Sequence, residues 1–226
     1  MSPEQDTRAV KDYFTREAAR FDAIYEGANR SPLQAAVDSL FRTRMLNRRN
    51  AVIASLVDEG ANCFELGCGS GRTAVTIARE RRARVHGIDI AAPMIALADR
   101  LAREYGVSDR CRFEAADFDA FRPNERYDTF VAVGVLDYFD DPRPMLRRAA
   151  EEFAPGGAIV ISWPGKRMLL NVARRAWLAT KRVPVNFYGD RDIAALAESV
   201  GGRVVRTVKS GFAPLMVDGM ARIELS

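Results

Sequence analysis

The chain has 226 residues, 48% of them hydrophobic, with a formal net charge of +4. That content supports a sizeable core of one α/β unit with a modest extension, and no apolar run is long enough to cross a membrane. The polar start is no secretory leader, and so weak a basic excess does not make a nucleic-acid binder. Residues 6–26 and 32–57 read as helices, so that 1–60 forms an N-terminal helical cap or lid. From residue 61 onward the pattern alternates: strand 62–66, helix 71–81, strand 84–89, helix 93–105 and strand 111–115. Strand 128–134, helix 142–153 and strand 157–163 follow, and such alternation predicts a parallel sheet with helices on both faces. A basic segment, 164–185, interrupts the core before helix 190–200 and strands 203–210 and 215–224. No internal repeat or low-complexity linker divides residues 61–226.

The most informative stretch is Phe64-Glu65-Leu66-Gly67-Cys68-Gly69-Ser70-Gly71. A strand that breaks through glycines into a helix sets bare backbone amides and a positive dipole end beside a ligand. Gly67, Gly69 and Gly71 can take dihedrals closed to other residues. Downstream, Arg84-Val85-His86-Gly87-Ile88-Asp89 reads as a second strand ending in a carboxylate. Its distance from Gly67 is close to the ~20 residues at which an acid meets ribose hydroxyls in βαβ nucleotide sites. A dinucleotide fingerprint would continue with a sixth-position glycine, and that position is Arg72.

The pattern Glu-x-Gly-x-Gly-x-Gly resembles the first motif of class I S-adenosylmethionine-dependent methyltransferases. Further segments follow in that family's order. Phe113-Glu114-Ala115-Ala116-Asp117-Phe118 resembles its third strand, Tyr127 to Gly134 its fourth, and Pro155-Gly156-Gly157 its turn into a fifth. The resemblance implies a Rossmann-like, seven-stranded, mostly parallel sheet closed by an antiparallel hairpin and covered by N-terminal lid helices. It implies S-adenosyl-L-methionine as donor and S-adenosyl-L-homocysteine as product. Glu65, Gly67, Cys68, Gly69 and Gly71 would form the cofactor loop, and Asp89, with Ile90 and Met94, would hold the ribose side. Asp117 would meet the adenine amino group, Phe118 its ring, and Gly134 the methyl end.

Plainer roles compete at several positions. Asp117 and Asp128 could cap neighbouring backbone, the reading preferred for Asp128. Cys68 reads as a small space-filling side chain within the loop. Lone His86 sits mid-strand before Gly87, where it packs between sheet and helix rather than serving as a base. Cys63, Cys68 and Cys111 show no metal-ligand spacing, and an odd count suits a reducing cytoplasm; no metal is expected.

Substrate choice should lie outside the cofactor loop. Tyr13, Phe14, Phe21 and Tyr25 give the N-terminus an aromatic stripe, similar to lid helices of small-molecule methyltransferases; Tyr13 and Tyr25 are its site candidates because a phenol spans apolar and polar surroundings. Segment 164–185 places Arg167, Arg174 and Lys181 along one helical side and holds no acid. It could meet an anionic acceptor, a membrane surface or a partner, or simply be a solvated face. Asp137 and Tyr138 follow the fourth strand, where an acceptor should arrive. They and Tyr188 sit in segments that resemble, more locally, magnesium-protoporphyrin O-methyltransferases, which implies an anionic, aromatic small-molecule acceptor. The expected activity is O-methylation of a hydroxyl or carboxylate. N- or C-methylation, RNA methylation through the basic segment, and a non-catalytic cofactor-binding module are the alternatives.

Overall fold

The computed structural model describes residue 15 and residues 44–164, 186–212 and 216–226. Strands β1 (Asn62–Leu66), β2 (Arg84–Asp89), β3 (Cys111–Ala115), β4 (Thr129–Ala132) and β5 (Ala158–Pro164) are parallel. β6 (Gly202–Phe212) and β7 (Met216–Leu225) form an antiparallel hairpin, with β7 lying between β5 and β6. The sheet order is β3-β2-β1-β4-β5-β7-β6. Seven strands, mostly parallel and ending in a hairpin, match the expected architecture. The chain runs outward from β1 to β3 and then returns to place β4 beside β1. That reversal opens a crevice at the carboxyl ends of β1 and β4, where ligands bind in open α/β sheets.

Helices α1 (Arg44–Ala54), α2 (Arg72–Arg81) and α3 (Ala92–Glu104) cover one face, and α4 (Arg143–Arg148) and α5 (Asp190–Glu198) cover the other. Alternating strand residues feed the two cores. Cys63, Val85, Val131 and Val160 pack beneath α1, α2 and α3, whereas Phe64, Ile88, Phe130 and Ile159 pack against α4 and α5. By the same alternation Glu65 falls on the α1–α2 side. Arg222 of β7 donates to the carbonyl of Leu56, which ties the end of α1 to the hairpin.

Two boundaries differ from the expected ones for physical reasons. Strand 128–134 stops at Ala132 because Gly134 takes φ 68° and the chain coils into one 3-10 turn, Leu136–Tyr138. Helix 142–153 is α-helical only to Arg148 and widens to a π turn over Ala149–Phe153. The wider turn drops Phe153 into an aromatic cluster, with its ring centroid 4.4 Å from that of Phe64. Most of the expected N-terminal cap, and residues 165–185, lie outside the described residues. Among the described residues, no helix is long and apolar enough to cross a membrane.

His86 lies in the core, as expected, with its Nδ1 2.8 Å from the Tyr127 hydroxyl. Burial, reinforced by Arg112, holds its pKa below the usual value, against an opposing pull from Glu114. The folded state therefore resists a proton that the unfolded chain accepts below about pH 6.5, so this contribution to stability is lost as pH falls. Between about pH 7 and about pH 5, His86→Gln should gain stability relative to the wild type, read as the difference in urea midpoints. A difference that does not change with pH would contradict this placement.

Candidate functional site

The carboxyl ends of β1, β2 and β4 bring the predicted loop and acids together. After β1, Gly67 takes φ 66°, Gly69 φ 53° and Gly71 φ 77°. The three glycines are needed for different reasons. A Cβ on Gly67 would stand 2.6 Å from Val135 Cγ2, and one on Gly71 2.7 Å from Ala98 Cβ. Those two let the loop press against the β4 turn and against α3. A Cβ on Gly69 would meet nothing within 4 Å. Gly69 is thus the point where the loop faces open space, and its bare backbone can be approached closely. α2 begins at Arg72 with Gly71 at its cap and no side-chain cap, so its first amides are left for other acceptors.

Asp89 ends β2 and clamps that loop. Its Oδ2 accepts the N–H of Gly69 at 2.9 Å, and its Oδ1 accepts the N–H of Ala91 at 2.9 Å. Burial raises its pKa, and the two amide bonds oppose the rise. Each oxygen keeps a second lone pair with which to meet a hydroxyl.

Glu65 lies deeper, 2% exposed, and accepts the N–H of Ala74 in the first turn of α2. Its Oε2 has no partner among the described residues. Burial, with the charge of Asp89, pushes its pKa up to about 8, against the bond from Ala74 and the guanidinium of Arg49 on α1. The Thr73 hydroxyl of α2 donates to Asn50 Oδ1 of α1 at 3.4 Å.

On the β4 side, Gly134 is exposed and its N–H donates to the Ser162 hydroxyl at 2.9 Å. Asp137 is 1% exposed, and its carbonyl accepts the N–H of Asn186 at 2.8 Å. Asn186 also donates through Nδ2 to the carbonyl of Phe139 at 2.8 Å. Tyr188 lies against the same turn, 3.5 Å from that carbonyl. Burial pushes its phenol up to about 12, with Asp137, Asp141, Asp140 and Asp192 adding to the rise. Tyr138 is half-buried in the turn itself.

A family model for a methyltransferase domain matches residues 64–159, from β1 into β5. Magnesium protoporphyrin IX methyltransferase from Synechocystis PCC 6803, solved with bound S-adenosylhomocysteine, has the same fold. The TM-score is 0.77 at 19% identity, covering 98% of this chain and 100% of that one. Residues 64–159 thus resemble a methyltransferase domain in sequence, and the chain has the fold of these enzymes. A ubiquinone biosynthesis O-methyltransferase from Sodalis glossinidius is 32% identical over 119 residues, 53% of this chain and 45% of that protein. The chain spans about half the length of the curated relatives it matches. The [4+2]-cyclase SpnF shares the fold with a TM-score of 0.70 at 17% identity, over 96% of this chain and 95% of that one.

Within this methyltransferase fold the predicted residues divide. Glu65, Gly67, Cys68, Gly69, Gly71 and Asp89 gather around one loop, with Ile90 half-buried beside them. Cys68 packs against Gly87, as a filler should, and burial holds its thiol protonated. Met94 is buried with Ala91 at the start of α3. Asp117 is exposed beyond β3, where its Oδ1 accepts the N–H of Asp119 at 3.0 Å. Asp128 accepts the N–H of Asn62 at 2.8 Å, the plain backbone role preferred for it. Phe118 corrects its expected place at the adenine ring. It is 8% exposed, stacks on Phe153 and lies under the Arg148 guanidinium at 4.6 Å. The π turn that delivers Phe153 draws it inward. Tyr13 and Tyr25 lie outside the described residues. Asn186, Arg49 and Ser162 were missed, because each matters through a partner distant in sequence. Among the described residues, no group of three or more His, Cys, Asp or Glu could hold a metal ion.

Proposed function

We propose that this chain transfers a methyl group from S-adenosyl-L-methionine to an oxygen of a small molecule. The observation that carries the reading is the clamp of Asp89 on Gly69 at the mouth of the β1–β4 crevice. The residues present suit such a donor. Gly69 leaves room for close approach, Asp89 can accept ribose hydroxyls, Asp117 can take the adenine amino group, and Gly134 borders the methyl end. Ile90 and Met94 complete the apolar side of the ribose seat. Of the expected 1–60 cap, the described helix Arg44–Ala54 packs on the sheet as part of the core.

The bound donor supplies a methyl group already activated on a sulfonium, so the chain's work is to align the acceptor, exclude water and manage one proton. Asp137, Tyr138 and Tyr188 form the described part of the acceptor side; Tyr13 and Tyr25, the other candidates, lie outside the described residues. With its phenol pushed up to about 12, Tyr188 stays protonated and orients an acceptor oxygen by donating to it. Asp137 is the group that takes a hydroxyl proton. The acids around Tyr188 favour a hydroxyl over a carboxylate acceptor, because a second anion there would be repelled. The basic 164–185 segment is left to hold an anionic group elsewhere on an aromatic acceptor.

Calorimetry with S-adenosylmethionine, S-adenosylhomocysteine and NAD tests the donor site. Micromolar binding of the sulfur ligands and none of NAD is the expected result, followed by methylation in a screen of phenols and aromatic acids. NAD binding in their place would overturn the reading. The match to a [4+2]-cyclase supports one further reading, in which the site binds its cofactor without transferring methyl. Tight sulfur-ligand binding with no methylated product from any phenol or acid would favour it.

A further inference from the structure

The donor site contains a second carboxyl group whose surroundings differ from those of Asp89. Asp89 is half-buried and has an amide on each oxygen. Glu65 is 2% exposed, takes one amide from α2, and its Oε2 has no partner among the described residues. An ionised carboxylate buried with an unsatisfied oxygen is costly, and the neutral acid relieves most of that cost. The charged groups acting on it are Asp89 from β2, which disfavours ionisation, and Arg49 from α1, which favours it but only weakly offsets the burial. Nε of Arg49 is itself buried with no hydrogen-bond partner among the described residues. The thiols of Cys68 in the loop and Cys111 on β3 are held protonated by burial and do not titrate in the neutral range.

We infer that Glu65 keeps its proton in the ligand-free protein and releases it to solvent when a cationic ligand group is seated by the glycine loop. The O–H bond of Glu65 breaks, the proton passes to buffer, and the new carboxylate is balanced by the incoming ammonium or sulfonium charge. The inference rests on the proposed donor site and adds that its affinity is linked to pH. The pKa of about 8 agrees with this in direction.

Two measurements test it. The first is calorimetry at neutral pH in two buffers of different ionisation enthalpy, with S-adenosylhomocysteine as a probe that carries an ammonium group and 5′-methylthioadenosine as one that lacks it. Net proton release on binding S-adenosylhomocysteine and none on binding methylthioadenosine is expected, with the release vanishing in Glu65→Gln. No proton release by either ligand, equal release by both, or release that survives in Glu65→Gln would overturn the inference. Failure of both ligands to bind would sink the proposed donor site together with the coupling. The second measurement needs no ligand. The infrared difference between wild type and Glu65→Gln should contain the carbonyl band of a protonated carboxylic acid at neutral pH. Its absence overturns the inference even if the donor site stands.

Discussion

Replacing Asp89 by alanine lowers affinity for S-adenosylhomocysteine by about 100-fold or more while leaving the fold intact. The change removes two charge-assisted bonds at once, from Gly69 and from Ala91. It also removes the acid proposed to meet the ribose. A hydrogen bond to a charged group is worth about 1.5–3 kcal/mol, so losing the proposed bonds from the ribose hydroxyls to this carboxylate accounts for the size of the effect on affinity. Asp89→Asn should do little better, since its NH2 group must face one of the two amide donors. Calorimetric titration, with circular dichroism as the check on folding, measures this. An Asp89→Ala protein that binds within about threefold of wild type would remove the clamp from the account of the site.

Gly71→Val has the second large effect, and it falls on folding rather than on binding. Gly71 sits at φ 77°, and its new Cβ would lie 2.7 Å from Ala98 Cβ, 2.9 Å from the Ala98 Cα and 3.1 Å from Phe113. A β-branched residue in the left-handed region costs about 1–2 kcal/mol, and forcing apart packed helices costs about 1–3 kcal/mol more. Against the ~5–15 kcal/mol stability of a typical domain, a loss of about 2–5 kcal/mol removes a large share of the margin and should appear as a matching fall in the urea midpoint. Gly69→Ala is the contrast: its methyl meets nothing within 4 Å, so only the strain of φ 53° is incurred. That variant should fold, with a loss of about 1 kcal/mol in urea, and yet bind the cofactor poorly, because the methyl occupies the approach. Equal stability losses in the two variants would mean that the glycines do not divide the work in this way.

Periodicity made the strands and helices legible because each is a local matter. The run from Asn62 to Leu66, the glycine break and the Arg84–Asp89 strand carry their own signals within a few residues. Asp89 could be found from spacing alone, since one helix and one strand of standard length separate it from the loop. Other parts depended on contacts that no local pattern encodes. Phe118 follows β3 directly and looked free to meet a ring, but Phe153, brought in by a π turn far along the chain, draws it into the core. The separate duties of Gly67, Gly69 and Gly71 depend on Val135 and Ala98, which the loop meets only after folding. Asn186 gave no signal because the carbonyls it bonds belong to Asp137 and Phe139.

The position of β7 inside the sheet has a consequence for how the protein is made. β6 precedes β7 in sequence, yet only β7 touches β5. During synthesis the flank of β5 therefore stays unpaired until Met216–Leu225 has left the ribosome, and β6 has nowhere to dock before then. Ile159, Ile161 and Trp163 sit on that waiting edge. An open apolar strand is where a nascent chain is most exposed to wrong pairing. The hairpin thus completes the sheet and also ends the period in which the growing chain needs protection.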